Sequence, residues 1–183
     1  NRYTTDCLRQ LKDAKVDVGM VQLGNETNGS LCGETTWGNI CQLMEAGSRA
    51  VRAIFPEALV AVHFTNPENA DAMGFYAKTL DDFRLDYDVF ATSYYPYWHG
   101  TLENLAAVLS QVAEAYGKKV MVAETSYAYT PEDTDFFGNT IGEGGSYANP
   151  YPLPVQGQAD AVADVVRTMA VSYTHLTLPT KRI

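Results

Sequence analysis

Two glutamates stand where apolar runs stop: Glu26, after Met20-Val21-Gln22-Leu23-Gly24-Asn25, and Glu124, after Lys119-Val120-Met121-Val122-Ala123. A strand of a parallel sheet is covered on both faces and reads as a near-continuous apolar run. A carboxylate that remains ionisable therefore belongs at its end, beside an open cleft. Two such groups facing each other can work as a pair: one gives a proton to a leaving oxygen, and the other attacks or activates water. Cleavage of a glycosidic bond needs this division of labour. A single strand-end Glu more often caps a loop or meets a surface cation; the matched placement of two is the informative feature.

The elements that must position them follow from the apolar pattern. Four apolar, β-branched or aromatic runs recur, Met20 to Gly24, Leu59 to Phe64, Asp88 to Tyr95 and Lys119 to Glu124, each followed by a polar loop and a helical period. The spacing predicts βα units and a parallel sheet. One helical face is Leu102, Leu105, Ala106, Leu109, Val112, Ala113 and Tyr116, stopped by Gly117; another is Trp37, Ile40, Cys41, Met44, Gly47, Val51 and Phe55. No phosphate-binding glycine fingerprint follows a strand: Gly142-Glu143-Gly144-Gly145 sits in a long polar loop, which lowers the weight of a dinucleotide-binding fold. A (β/α)8 barrel suits the repeat. Four strands make half of one, and a typical barrel takes about 250 residues, so the 183-residue chain reads as a fragment.

Composition narrows the partners. Hydrophobic residues make up 46% of the chain, as in a globular domain. The net charge is -9 with the basic residues scattered, which argues against nucleic acid or an anionic membrane and leaves a neutral sugar polymer compatible. No run is long enough to span a bilayer, and no signal peptide is visible. Cys7, Cys32 and Cys41 lack zinc spacing and read as free thiols, with a Cys32 to Cys41 disulfide open if the protein is exported. The segment from Ser172, SYTHLTLPTKRI, continues neither helix nor strand and resembles a translated sequencing adapter. The expected division is a partial (β/α)8 barrel domain over 1–171 and a non-native tail over 172–183.

Four strand-end strings, in order, carry a family resemblance: Val21-Gln22-Leu23-Gly24-Asn25-Glu26 with Asn28-Gly29; Ala61-Val62-His63-Phe64; Thr92-Ser93-Tyr94-Tyr95-Pro96-Tyr97-Trp98; and Val122-Ala123-Glu124-Thr125-Ser126-Tyr127. Together they resemble glycoside hydrolase family 53, the endo-β-1,4-galactanases that cut galactan side chains of pectin. The resemblance implies an α/β fold, a partial (β/α)8 TIM barrel holding the fourth to seventh strands with their helices. It also implies retention of configuration, with Glu26 as acid/base and Glu124 as nucleophile. Retention predicts carboxyl groups about 5 to 5.5 Å apart, against about 6.5 to 9.5 Å for inversion. Asn25 is expected to bind the sugar 2-hydroxyl, and Tyr94 or Tyr95 to donate to Glu124.

Sugar rings stack on aromatic side chains, so Tyr94, Tyr95 and Trp98 are candidate substrate contacts, with Trp98 the favoured platform; core packing is an equal reading for each taken singly. His63 is a weaker candidate, since an inward strand histidine is more often a satisfied core group. The resemblance further implies a calcium loop at Asp133, Asp135 and Asn139, hard oxygen ligands at short spacing, although Phe137 stands where the family pattern has a histidine. A polymeric substrate implies export, and the complete enzyme is expected to be a monomer. The isolated fragment, with strand edges and one side of its core open, is expected to be inactive. Other retaining glycosidases of the same clan, acting on mannan, xylan or cellulose, are the rival reading.

Overall fold

The computed structural model describes residues 2–132 and 151–172. Five helices, α1 (Arg2–Asp13), α2 (Trp37–Ile54), α3 (Ala70–Asp82), α4 (Leu102–Tyr116) and α5 (Val155–Ser172), alternate with four strands, β1 (Met20–Leu23), β2 (Leu59–Phe64), β3 (Val89–Ser93) and β4 (Lys119–Glu124). The strands form one parallel sheet in the order β1-β2-β3-β4. Sequential parallel neighbours joined through helices are what a stretch of (β/α) barrel wall requires. Among the described residues β1 and β4 are its outer strands.

Strand alternation divides the side chains between two faces. Leu23, Val60, Val62, Phe64, Phe90 and Val120 point to the helices and join a single core with Ile40, Met44, Val51, Met73, Leu80, Leu105 and Leu109, all buried. The opposite parity, Gln22 on β1, Ala61 and His63 on β2, Ala91 and Ser93 on β3, forms the inner face. Gly47 of α2 lets helix and strand approach closely: a Cβ there would lie 2.9 Å from Leu23 Cδ2. The predicted α4 boundaries hold because Thr101 Oγ1 accepts from Asn104 N at its start and Gly117 adopts φ +63° at its end.

A register irregularity separates β3 from β4. Thr92 pairs with Val122 but Ser93 pairs with Glu124, so Ala123 is an extra residue. Without it, Glu124 would share the parity of Val120 and Val122 and face the helices; the bulge turns it to the inner face with Ser93.

A smaller aromatic core braces the loops after β3 and β4. Tyr97 and Tyr127 stack with centroids 4.9 Å apart, the Tyr97 hydroxyl accepts from Ala128 N at 2.8 Å, and Tyr127 donates to Tyr151 O at 2.7 Å. The three cysteines are free thiols, so the Cys32 to Cys41 pairing is not formed. No helix among the described residues is long and apolar enough to cross a membrane.

Candidate active site

The turn after β1 delivers Glu26 through two left-handed residues. Gly24 has φ +79°, and a Cβ there would sit 2.6 Å from Thr27 Cγ2, so only glycine fits. Glu26 itself has φ +47°, a left-handed conformation that costs a non-glycine residue free energy and that the surrounding turn must hold. Thr27 holds the turn in place: its N–H and its hydroxyl both reach His63 O, at 2.9 and 3.0 Å. Asn28 adds a two-bond clamp, donating to Thr65 O and accepting from Thr65 N, each at 2.8 Å.

On the inner face a single polar row crosses the sheet. Gln22 Nε2 donates to Gly24 O at 2.8 Å and lies 3.1 Å from His63 Nδ1, while His63 Nε2 is 3.0 Å from Ser93 Oγ. Ser93 donates to Glu26 Oε1 at 2.6 Å, and Tyr95 donates to Glu124 Oε2 at 2.8 Å. One carboxylate oxygen of Glu26, one of Glu124 and a ring nitrogen of His63 all lie within 4.8 Å of one another. The nearest oxygens of the two carboxyl groups are thus close enough to face one glycosidic bond from two sides.

Burial pushes the His63 imidazole below its ordinary pKa, and the nearby Glu124 and Glu26 only partly oppose that. Its ring is therefore neutral near pH 7, one nitrogen a donor and the other an acceptor. The Tyr95 hydroxyl is pushed up to about 12, first by burial and then by its bond to Glu124, so it remains a donor across the neutral range. His99, also lowered by burial, accepts from Tyr95 N at 3.0 Å and fixes the backbone that carries that hydroxyl.

A cleft of about 390 Å³ opens beside the pair, lined by Glu26, Glu124, Thr65, Asn66, Tyr95, Trp98 and His99. Glu26, Glu124, Tyr95 and Trp98 thus come together as expected from their order in the sequence. Three candidates, Tyr94, His63 and Asn25, are not among the residues that line the cleft. Tyr94 is buried in the main core and its hydroxyl donates to Gly100 O at 3.0 Å, because it and Tyr95 point to opposite sides of the chain. His63 is fully buried beneath the carboxylates, so it touches them and the polar row rather than a sugar. Asn25 Oδ1 meets His63 Nδ1 at 3.1 Å and Asn25 remains exposed. Sequence reasoning missed Ser93, Thr65, Asn66 and His99; strand parity along β3, which puts Ser93 on the same face as Ala91 beside His63, would have found Ser93. The calcium candidates Asp133, Asp135 and Asn139 lie outside the described residues.

With this geometry established, comparison with known proteins is specific. The chain is 57% identical over 168 residues to an endo-β-1,4-galactanase of Bacillus subtilis, a match covering 92% of this chain and 39% of that protein. It is 32% identical to an arabinogalactan endo-β-1,4-galactanase of Cellvibrio japonicus, over 77% of this chain and 40% of that one. Among solved structures, the Ignisphaera aggregans GH53 catalytic domain superposes with a TM-score of 0.83 at 28% identity, covering 95% of this chain and 49% of that one. The chain spans about half the length, or less, of these relatives. A sequence model of glycosyl hydrolase family 53 matches residues 1–175, and the protein belongs to that family.

Proposed function

We propose that these residues are the acid/base and nucleophile half of an endo-β-1,4-galactanase that cleaves galactan with retention. The observation that carries the reading is the Glu26–Glu124 pair, with one oxygen of each within 4.8 Å in a cleft beside Tyr95 and Trp98. In the first step a Glu124 oxygen forms a bond to the anomeric carbon as the glycosidic C–O bond breaks, and Glu26 gives its proton to the departing oxygen. In the second, Glu26 takes a proton from water, whose oxygen displaces Glu124 from the sugar. Tyr95 occupies Glu124 Oε2 and leaves Oε1 to attack. A Tyr95 hydroxyl that keeps its proton can stabilise the carboxylate when it leaves.

The named relatives favour galactan over the polymers of other retaining glycosidases. The assay that decides uses the chain joined to the part of the Bacillus subtilis relative that the match leaves uncovered, here termed the completed barrel. Turnover on galactan that exceeds turnover on mannan, xylan and cellulose supports the assignment; preference for any of those three refutes it. Two finer readings rest on sequence and substrate chemistry: calcium held by Asp133, Asp135 and Asn139 as an ordering ion, and export to reach a polymer that cannot enter a cell. An unchanged melting temperature and activity after chelation and calcium replacement would remove the first.

A further inference from the structure

We propose that Ser93 is a positioning residue that selects which oxygen of Glu26 handles the proton, and that His63 and Gln22 lock Ser93 in that orientation. The inference rests on the reading of Glu26 as acid/base. A serine hydroxyl has one proton to donate. At 2.6 Å from Glu26 Oε1, that proton is committed to the carboxyl group, whether ionised or carrying its proton on the other oxygen. Ser93 Oγ must then act as acceptor toward His63 Nε2, 3.0 Å away, so the neutral imidazole carries its proton on Nε2.

The far side of the ring agrees. With the proton on Nε2, Nδ1 is an acceptor, and the Gln22 carboxamide nitrogen stands 3.1 Å from it as donor. Gln22 cannot turn its oxygen there instead, because its nitrogen also donates to Gly24 O at 2.8 Å. The row is thus a one-way series of donors, Gln22 to His63 to Ser93 to Glu26 Oε1, running along the inner face from β1 to β3. Its end point occupies Oε1 in both states of the acid. Oε2 is left to give the proton to the leaving oxygen and later to take one from water. A bare Nδ1 cannot bond the Asn25 oxygen that stands 3.1 Å from it, so the series requires the Asn25 carboxamide to present its nitrogen to the ring in place of that oxygen.

Two measurements test this. Long-range ¹H–¹⁵N spectra of the imidazole nitrogens in the 183-residue chain, with His63 identified by its loss in H63N, should show a protonated Nε2 and a bare Nδ1 at neutral pH. A predominant Nδ1–H form would overturn the series. The second uses the completed barrel with galactan and with a dinitrophenyl β-galactobioside, whose leaving group needs no acid. Ser93→Ala should lose roughly tenfold or more in kcat/KM on galactan, the worth of one charge-assisted hydrogen bond, and less than threefold on the activated substrate; Ser93→Thr should restore the galactan rate. Equal losses on both substrates, or no recovery with threonine, would reduce Ser93 to a packing residue and refute the proposal. Glu26→Gln run beside it keeps the two claims apart, since it must show the same contrast more strongly if Glu26 is the acid, while the tautomer measurement stands independently of that outcome.

Discussion

The two ends of the sheet hold charged groups for opposite purposes. At the amino-terminal end Arg52 of α2 bonds Asp86 through two nitrogens, at 2.9 and 2.8 Å, reaches Asp88 at 3.0 Å and caps Ala58 O at 3.1 Å; Asp88 in turn accepts from Val60 N at 2.7 Å. Each of these three charges meets an opposite charge, and Arg52 and Asp88 also meet backbone partners. At the carboxy-terminal end two carboxylates share a space of 4.8 Å with a neutral histidine, and among the described residues no Lys or Arg forms an ion pair with either. Satisfied charges at one end fasten helix to strand; the close carboxyl groups at the other each meet one donor, Ser93 for Glu26 and Tyr95 for Glu124, on one of their two oxygens.

The largest expected effect is at the carboxylates: in the completed barrel, Glu26→Ala should lower kcat on galactan by about 10²- to 10⁴-fold with little change in melting temperature, since proton transfer and not packing is removed. A destabilised, fully active Glu26→Ala would reverse the roles of the two ends. Next, Tyr95→Phe deletes one hydrogen bond to a charged group and should cost about ten- to a hundredfold in kcat with KM nearly unchanged. At the other end, Arg52→Met should leave kcat within about twofold and lower stability by about 1–3 kcal/mol. The lower part of that range allows for solvent screening at Asp86, whose side chain is 58% exposed. Chemical denaturation of the same variants separates these outcomes.

Acidification should distinguish the ends by pH window. Burial lowers His63 and His99 in the folded state. Below the unfolded value of about 6.5 the unfolded chain therefore binds more protons, and stability falls with pH until the folded values are passed, by up to about 1.4 kcal/mol per pH unit for each ring. The Arg52 guanidinium holds Asp86 below the usual carboxylate range, so its contribution is present above about pH 4 and is lost only below that, as pH falls through the folded value. Denaturation midpoints measured from pH 7.5 to 3 should decline first near 6, and Arg52→Met should flatten the later decline while leaving the earlier one. A single decline confined below pH 4 would mean that the histidines contribute nothing.

Much of the fold was legible because parallel strands and amphipathic helices write their periods directly into the chain: β2 and β4 lie where the apolar runs lie, and Gly117 ends α4 by the left-handed turn its type suggests. Glu26 and Glu124 were legible as strand ends. What the sequence did not display is register. The extra residue Ala123 is a hydrogen-bonding offset between β3 and β4 and has no compositional mark, yet it decides that Glu124 and Ser93 share a face. Tyr94 and Tyr95 look equivalent in the string and are not, since neighbouring side chains diverge; one braces Gly100 and the other bonds Glu124. His63 read as an ambiguous inward residue because its role depends on partners 41 and 30 residues away in the chain. The Arg52 cluster was equally hidden, its carboxylates lying 34 and 36 positions beyond it (86 − 52 and 88 − 52).

The central claim is that the short separation of Glu26 and Glu124 makes one a nucleophile and the other its acid/base partner. Time-resolved proton NMR of galactan cleavage by the completed barrel tests it most directly, by reading the anomeric configuration of the reducing end before mutarotation. The β-anomer should form first, with the α-anomer appearing only at the rate of mutarotation. Initial formation of the α-anomer would mean a single inverting displacement and would contradict the assignment of both carboxylates.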